Sequence, residues 1–277
     1  MPQGRILLLT LVAMIAFAGN SLLCRVALKL DQIDAASFSS IRIISGALVL
    51  WLIVRIRGGH HISAGNWPSA LVLFSYMASF SFAYISLPVA TGALVLFGAA
   101  QATMIGYGLW TGEHLKIGQV VGLIIAFGGL LILLAPGISA PPLYGSILML
   151  WAGASWGIYC LLGKFAGDPI LVTAGNFRRA GYFALGMSAA LLPWASIDRP
   201  GFWCAFSSGA LASGLGYVIW YAALRGLKVT SAATAQLSVP VIAALGGIAL
   251  LGEPVSLRLF IASTATLGGI AWAILDI

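Results

Sequence analysis

The seven carboxylates of this 277-residue chain (Asp31, Asp34, Glu113, Asp168, Asp198, Glu253 and Asp276) all fall at or near the ends of apolar runs, as do His60, His61 and His114. Acid–base, nucleophilic and metal-assisted chemistry all need such groups in mutual reach inside a site. No His-Glu-x-x-His, no paired Asp and no Cys with a neighbouring base occurs. Cys24, Cys160 and Cys204 sit singly in apolar runs and read as free buried thiols. The chain is therefore not expected to be an enzyme, and it calls for no metal and no cofactor. What remains inside the apolar runs is hydrogen-bonding and aromatic: Asn20, Ser21, Tyr76, Ser79, Gln101, Trp156, Tyr159, Tyr217, Trp220, Gln236 and Ser238. Their chemistry is recognition. Tyr217, Trp220 and Tyr221 fall at i, i+3, i+4 and share one helix face. Such a face, with hydroxyl and indole donors, suits an apolar side chain on a zwitterion. Pro240 lies near the middle of the ninth run, where it is expected to kink the helix and free the carbonyl of Gln236. The plain structural alternative is interhelical packing and a kink healed by Ser238 or a neighbour.

The elements that must position these residues follow from composition. Hydrophobic residues make up 61% and charged residues 8% of the chain. A soluble domain of that composition would have too little polar surface to show to water. Ten apolar runs are legible, at 5–24, 36–54, 68–87, 90–110, 117–135, 143–162, 170–192, 202–222, 229–250 and 257–275, separated by short segments rich in Gly, Pro and charge. Runs of about twenty residues match a bilayer core of ~30 Å at 1.5 Å rise per residue. The fold class predicted is an all-α membrane protein of ten spanning helices. The net charge of +7 comes from scattered Lys and Arg, which reads as membrane topology rather than a nucleic-acid surface.

The chain also repeats itself. Thr91-Gly92-Ala93 meets Ser231-Ala232-Ala233, Gly112-Glu113 meets Gly252-Glu253, and Gly128-Gly129 meets Gly268-Gly269, each 140 positions on. Upstream the match is weaker: Ala18-Gly19 against Trp156-Gly157, and Arg42 against Arg178. Two five-helix halves, 1–138 and 139–277, result. An odd count inverts the second half in the membrane, a plan of secondary transporters with the site near the midplane. With the N-terminus cytoplasmic, cytoplasmic ends receive Arg5, Arg55, Arg57, Lys116, Lys164, Arg178, Arg179, Arg225 and Lys228, against Arg25, Lys29, Arg42, Arg199 and Arg258 outside. That bias places both termini inside.

Arg42 and Arg178 each lie over a turn inside their runs. On this topology Arg42 and Glu253 approach one face, and Arg178 and Glu113 the other. Two cross-repeat ion pairs are predicted, Arg42–Glu253 and Arg178–Glu113, each costly to break in a partly desolvated zone. The alternative is that each Arg snorkels to headgroups and each Glu caps a helix.

The doubled pattern of Ala90-Thr91-Gly92-Ala93 through Gly112-Glu113 to Gly129, and Thr230-Ser231-Ala232-Ala233 through Gly252-Glu253 to Gly269, resembles the EamA repeat of the drug/metabolite transporter superfamily. The resemblance covers nearly the whole chain and looks most like the YddG-type amino acid exporters. It implies a bacterial inner-membrane carrier exporting amino acids or related small metabolites by alternating access, as a monomer or weak homo-oligomer in the lipid bilayer. The lack of a mid-membrane acid or imidazole argues against proton exchange through a carboxylate. A carrier of phosphorylated or nucleotide sugars would need a deep Lys or Arg, and the arginines read as peripheral. A channel is disfavoured by the lack of a charged ring or filter-like loop.

Overall fold

The computed structural model describes residues 3–58, 64–112, 116–137, 140–164, 167–224, 226–227 and 235–275. These residues are overwhelmingly helical. No strand occurs among them beyond an isolated antiparallel bridge between Ile33 and Ile197. In chain order the helices are α1 (Gln3–Lys29), α2 (Ala35–Ile56), α3 (Trp67–Tyr84), α4 (Val89–Trp110), α5 (Ile117–Leu134), α6 (Leu143–Lys164) and α7 (Pro169–Ala190). After a single 3₁₀ turn (Leu192–Trp194) comes α8, built from an α-helical part (Arg199–Ser207), a π-helical part (Ser208–Leu215) and a second α-helical part (Gly216–Leu224). The last two are α9 (Ser238–Leu251) and α10 (Leu257–Leu275). Six helices are long and apolar enough to cross a membrane, namely α1, α2, α4, α5, α6 and α8, and α9 and α10 add shorter apolar helices.

Local chemistry sets the ends. Asp34 caps α2 by accepting from the Ser37 amide, Asn66 caps α3 through the Ser69 amide, and Asp168 caps α7 ahead of Pro169. The Gly-Glu pair that recurs in the sequence is a helix stop. Gly252 takes φ +60° as the left-handed cap of α9, and Gly112 takes φ +93° after α4.

Polarity is arranged inside out. Leu7, Leu11, Ile15, Leu48, Leu52, Ile124 and Leu131 are exposed, whereas Asn20, Ser39, Arg42, Ser208 and Ser213 are buried. With lipid as solvent, nothing drives apolar side chains inward, and helices associate through small residues and polar contacts. The α5–α10 crossing shows this. A Cβ on Gly122 would lie 2.6 Å from the Gly269 carbonyl oxygen, and one on Gly129 2.7 Å from the Thr266 amide, while Gly128 and Gly268 face open space. Ser40 on α2 bonds the Ala184 carbonyl and the Ser188 hydroxyl on α7, at 3.1 and 2.7 Å. Helix neighbours match in pairs: α3 and α4 pack on α6 as α8 and α9 pack on α1, while α2 meets α7 and α5 meets α10.

One sequence expectation gains detail here and one changes. Ala235 and Gln236 are helical, the chain turns at Leu237, and α9 begins at Ser238, so the helical path is interrupted three residues before Pro240, which has no N–H to give the Gln236 carbonyl. The upstream part of the ninth run, including Thr230-Ser231-Ala232-Ala233, lies outside the described residues. The eighth run, read as plain helix, holds the π-helical stretch. There Gly209 lies directly on the Arg42 carbonyl and the Ser45 hydroxyl of α2, a closeness no larger residue permits.

Candidate functional site

The largest buried polar side chain is that of Arg42. Its expected place near a helix end is corrected: the side chain is 0% exposed and ranks first by volume among the fully buried ones. It stands seven residues into α2, about 10 Å along the axis. Its Nε donates to the Ser213 hydroxyl on the π-helical part of α8, and its Nη2 to the Tyr76 hydroxyl on α3, each at 3.2 Å. The guanidinium lies 4.8 Å from the Phe80 ring centre and 5.4 Å from that of Tyr76. Its Nη1 is buried without a hydrogen-bond partner.

From Tyr76 a chain of rings continues. Tyr76 lies 5.1 Å from Trp156 on α6, Trp156 lies 5.5 Å from Tyr217 and 5.9 Å from Tyr159, and Phe17 on α1 touches both Tyr217 and Trp220. Trp156 Nε1 and the Tyr217 hydroxyl are likewise buried and unpartnered. Thus α2 and α3 of the first half and α6 and α8 of the second bring together four side chains, three of them with idle donors. Leaving such a group unmade costs about 1–3 kcal/mol.

The remaining expected residues divide. Asn20 is buried beside this cluster and accepts from the Ser208 hydroxyl of α8. Ser21 is buried one residue further along α1. Tyr159 is tied to Asn176 of α7 at 3.4 Å. Ser79 turns back to its own helix, donating to the Ser75 carbonyl at 2.6 Å. Gln101 faces a small gap lined by Ala126 and Thr266, towards α5 and α10. Gln236, Ser238 and Pro240 stand at the start of α9, with the Ser238 hydroxyl donating to the Ala235 carbonyl.

The predicted Arg42–Glu253 pair does not form. Arg25, one helix over, takes Glu253 at 3.2 Å, and the other carboxylate oxygen accepts from the Val89 amide at 2.7 Å. Arg25 also donates to the carbonyls of Tyr84 and Ile85. Next to this tie lies a cavity of about 250 Å³, lined in part by Pro88, Thr91, Ala244 and Glu253. The second predicted pair, Arg178–Glu113, falls partly outside the described residues. Arg178 is exposed, and Glu113 lies outside the described residues. The neighbouring Arg179 donates to the Ala64 carbonyl at 2.8 Å. Sequence reasoning also passed over Phe17, Phe80 and Ser213. Phe80 had a signal, since it stands at i+4 from Tyr76.

A helical molecule with an apolar exterior and a buried polar centre is a multi-pass membrane protein. Residues 143–275 match the EamA-like transporter family. An uncharacterized protein of Pseudomonas aeruginosa is 53% identical over 272 residues, covering 98% of this chain and 95% of its own. An uncharacterized transporter of Archaeoglobus fulgidus is 26% identical over 95% of both chains, and the uncharacterized transporter YoaV of Bacillus subtilis 24% identical over 87% of both. The chain belongs to the EamA-like transporter family. One solved crystal structure shares the fold, with a TM-score of 0.67 over 96% of this chain and 99% of its own at 19% identity.

Proposed function

We propose that this protein is a bacterial inner-membrane secondary transporter that exports amino acids and related carboxylate-bearing metabolites by alternating access. The proposal includes ten spans in two inverted five-helix repeats, 1–138 and 139–277, with both termini cytoplasmic. The paired helix contacts support the repeat, since each half's third and fourth helices pack on the other half's first. The observation that carries the reading is the junction of Arg42, Tyr76, Trp156 and Tyr217, where both halves contribute buried donors that the protein leaves unused. Guanidinium forks recognise carboxylates, and rings accommodate an apolar body. The Arg25–Glu253 tie joins α1 to the end of α9 and to the α3–α4 turn, and reads as the closure of one face.

The burial of Arg42 also supports a second reading, transport of phosphorylated metabolites, because phosphate needs the same fork. Counterflow in proteoliposomes tests both. Vesicles loaded with an unlabelled amino acid should take up labelled aromatic or aliphatic amino acid without a pH gradient. Uptake that requires an imposed pH gradient would overturn the uncoupled mechanism. Uptake of sugar phosphates alone would select the second reading.

A further inference from the structure

We propose that the buried site selects solutes with a net negative charge, a single carboxylate on an apolar or aromatic body, and that the inside-negative membrane potential drives their efflux. The inference rests on the carrier reading above and narrows its substrate class. Every unpartnered polar atom of the cluster can donate: Arg42 Nη1 and Trp156 Nε1 can only donate, and the Tyr217 hydroxyl can also accept. A ligand that satisfies them must present acceptors.

Among the described residues of the cluster no carboxylate stands ready for an ammonium group. Among the described residues the one ion pair is Arg25–Glu253, and no carboxylate pairs with Arg42. The ring faces nearest the guanidinium, those of Phe80 and Tyr76, are already turned to Arg42. A zwitterion would bring its positive end beside a fixed cation, whereas a deaminated carboxylate of the same shape would only neutralise it. The rings of Phe17, Trp156 and Tyr217 are the apolar surface beside these donors.

The direction of transport follows from charge. Arg42 returns to its starting place in every cycle, so the net charge moved per turnover is that of the solute alone. Moving one elementary charge across 100 mV changes the solute gradient at equilibrium by about 50-fold, equivalent to about 2.3 kcal/mol. An inside-negative potential therefore expels a monoanion without proton coupling and leaves a zwitterion unaffected.

The test uses the full chain in liposomes loaded with labelled phenylpyruvate or labelled phenylalanine, with a potassium gradient and valinomycin setting the voltage. Protein-dependent efflux of phenylpyruvate should rise when the interior is made negative and approach a gradient of about 50-fold per 100 mV. Phenylalanine efflux should be slower and independent of voltage. Arg42→Gln should abolish phenylpyruvate efflux and Arg42→Lys should retain part of it, both with an unchanged melting profile as the check on folding. Faster, voltage-independent phenylalanine efflux that is still lost in Arg42→Gln would overturn the anion inference while sparing the carrier reading. Preference for phenyl phosphate would overturn the carboxylate assignment. Movement of none of the three solutes by folded protein would overturn the inference and the amino-acid carrier reading together.

Discussion

Replacing Glu253 by Ala removes two bonds at once, the 3.2 Å contact to Arg25 and the 2.7 Å contact from the Val89 amide at the start of α4. The paired side chains are only 12% and 8% exposed, so solvent screens them little. Removing one partner of such a pair costs about 3–5 kcal/mol. Arg25 keeps the carbonyls of Tyr84 and Ile85 at 2.9 and 2.8 Å, which places the loss near the low end, about 3 kcal/mol. For a chain of this size that is roughly 6 °C in melting temperature. Glu253→Gln keeps an acceptor for Val89 and should lose about half as much. Arg25→Ala should cost about as much as Glu253→Ala, and the double variant far less than the sum. The assay is thermal melting in detergent, read as a double-mutant cycle. If the tie closes its face of the protein, a cysteine placed at the buried Thr91, which lines the adjacent cavity, should react with an impermeant maleimide up to roughly 150-fold faster once the tie is cut. Additivity of Arg25→Ala and Glu253→Ala within about 0.5 kcal/mol would refute the coupling.

Tyr217→Phe removes a buried hydroxyl that has no partner, so it should raise the melting temperature by a few degrees and lower transport, a split that an ordinary packing role would not produce. Gly129→Ala should destabilise by about 1–3 kcal/mol, because the new methyl would meet the Thr266 amide, whereas Gly128→Ala should be neutral or slightly stabilising; melting distinguishes them. Asp34 caps α2 and also accepts from the Ser196 amide. Burial pushes its carboxyl up, but bonds from Ser37, Ser196 and Ala36 outweigh this and hold it below the ordinary carboxylate value. A lowered folded value stabilises above the unfolded pKa of about 3.9 and is lost as pH falls through the folded one. Asp34→Asn can keep the Ser37 cap through its amide oxygen but has no second acceptor for the Ser196 amide, so it should melt below wild type at neutral pH by about 1 kcal/mol, with the gap closing under strongly acidic conditions.

The six helices long and apolar enough to cross a membrane were legible because their apolar runs are long and bounded by Gly, Pro or charge, and lipid leaves the backbone no option but helix. Gly112 and Gly252 were legible as repeated punctuation, and the structure supplies the reason, a left-handed stop. Arg42 was not legible as a central residue. Counting along one run gives depth but not the face, and the face that α3 and α8 cover depends on tertiary packing. The choice of Arg42 over Arg25 as the partner of Glu253 failed for the same reason, since both arginines were placed towards the same face. Pro240 was legible as a break in the ninth run, and the turn at Leu237 lies within the four residues that its missing N–H affects.

The π-helical stretch of α8 has a consequence for lineage. An α-helix turns about 100° per residue, so one added residue rotates everything beyond it by that angle. Wide turns of this kind keep the rod continuous while absorbing an insertion. The two α-helical parts of α8 are thus out of phase, and the side on which Tyr217 and Trp220 meet Phe17 is not the side that spacing from Arg199 would assign. A homologue that builds this span as unbroken α-helix should be shorter between Ser208 and Leu215. A gap-free alignment across it would then pair residues that point in different directions.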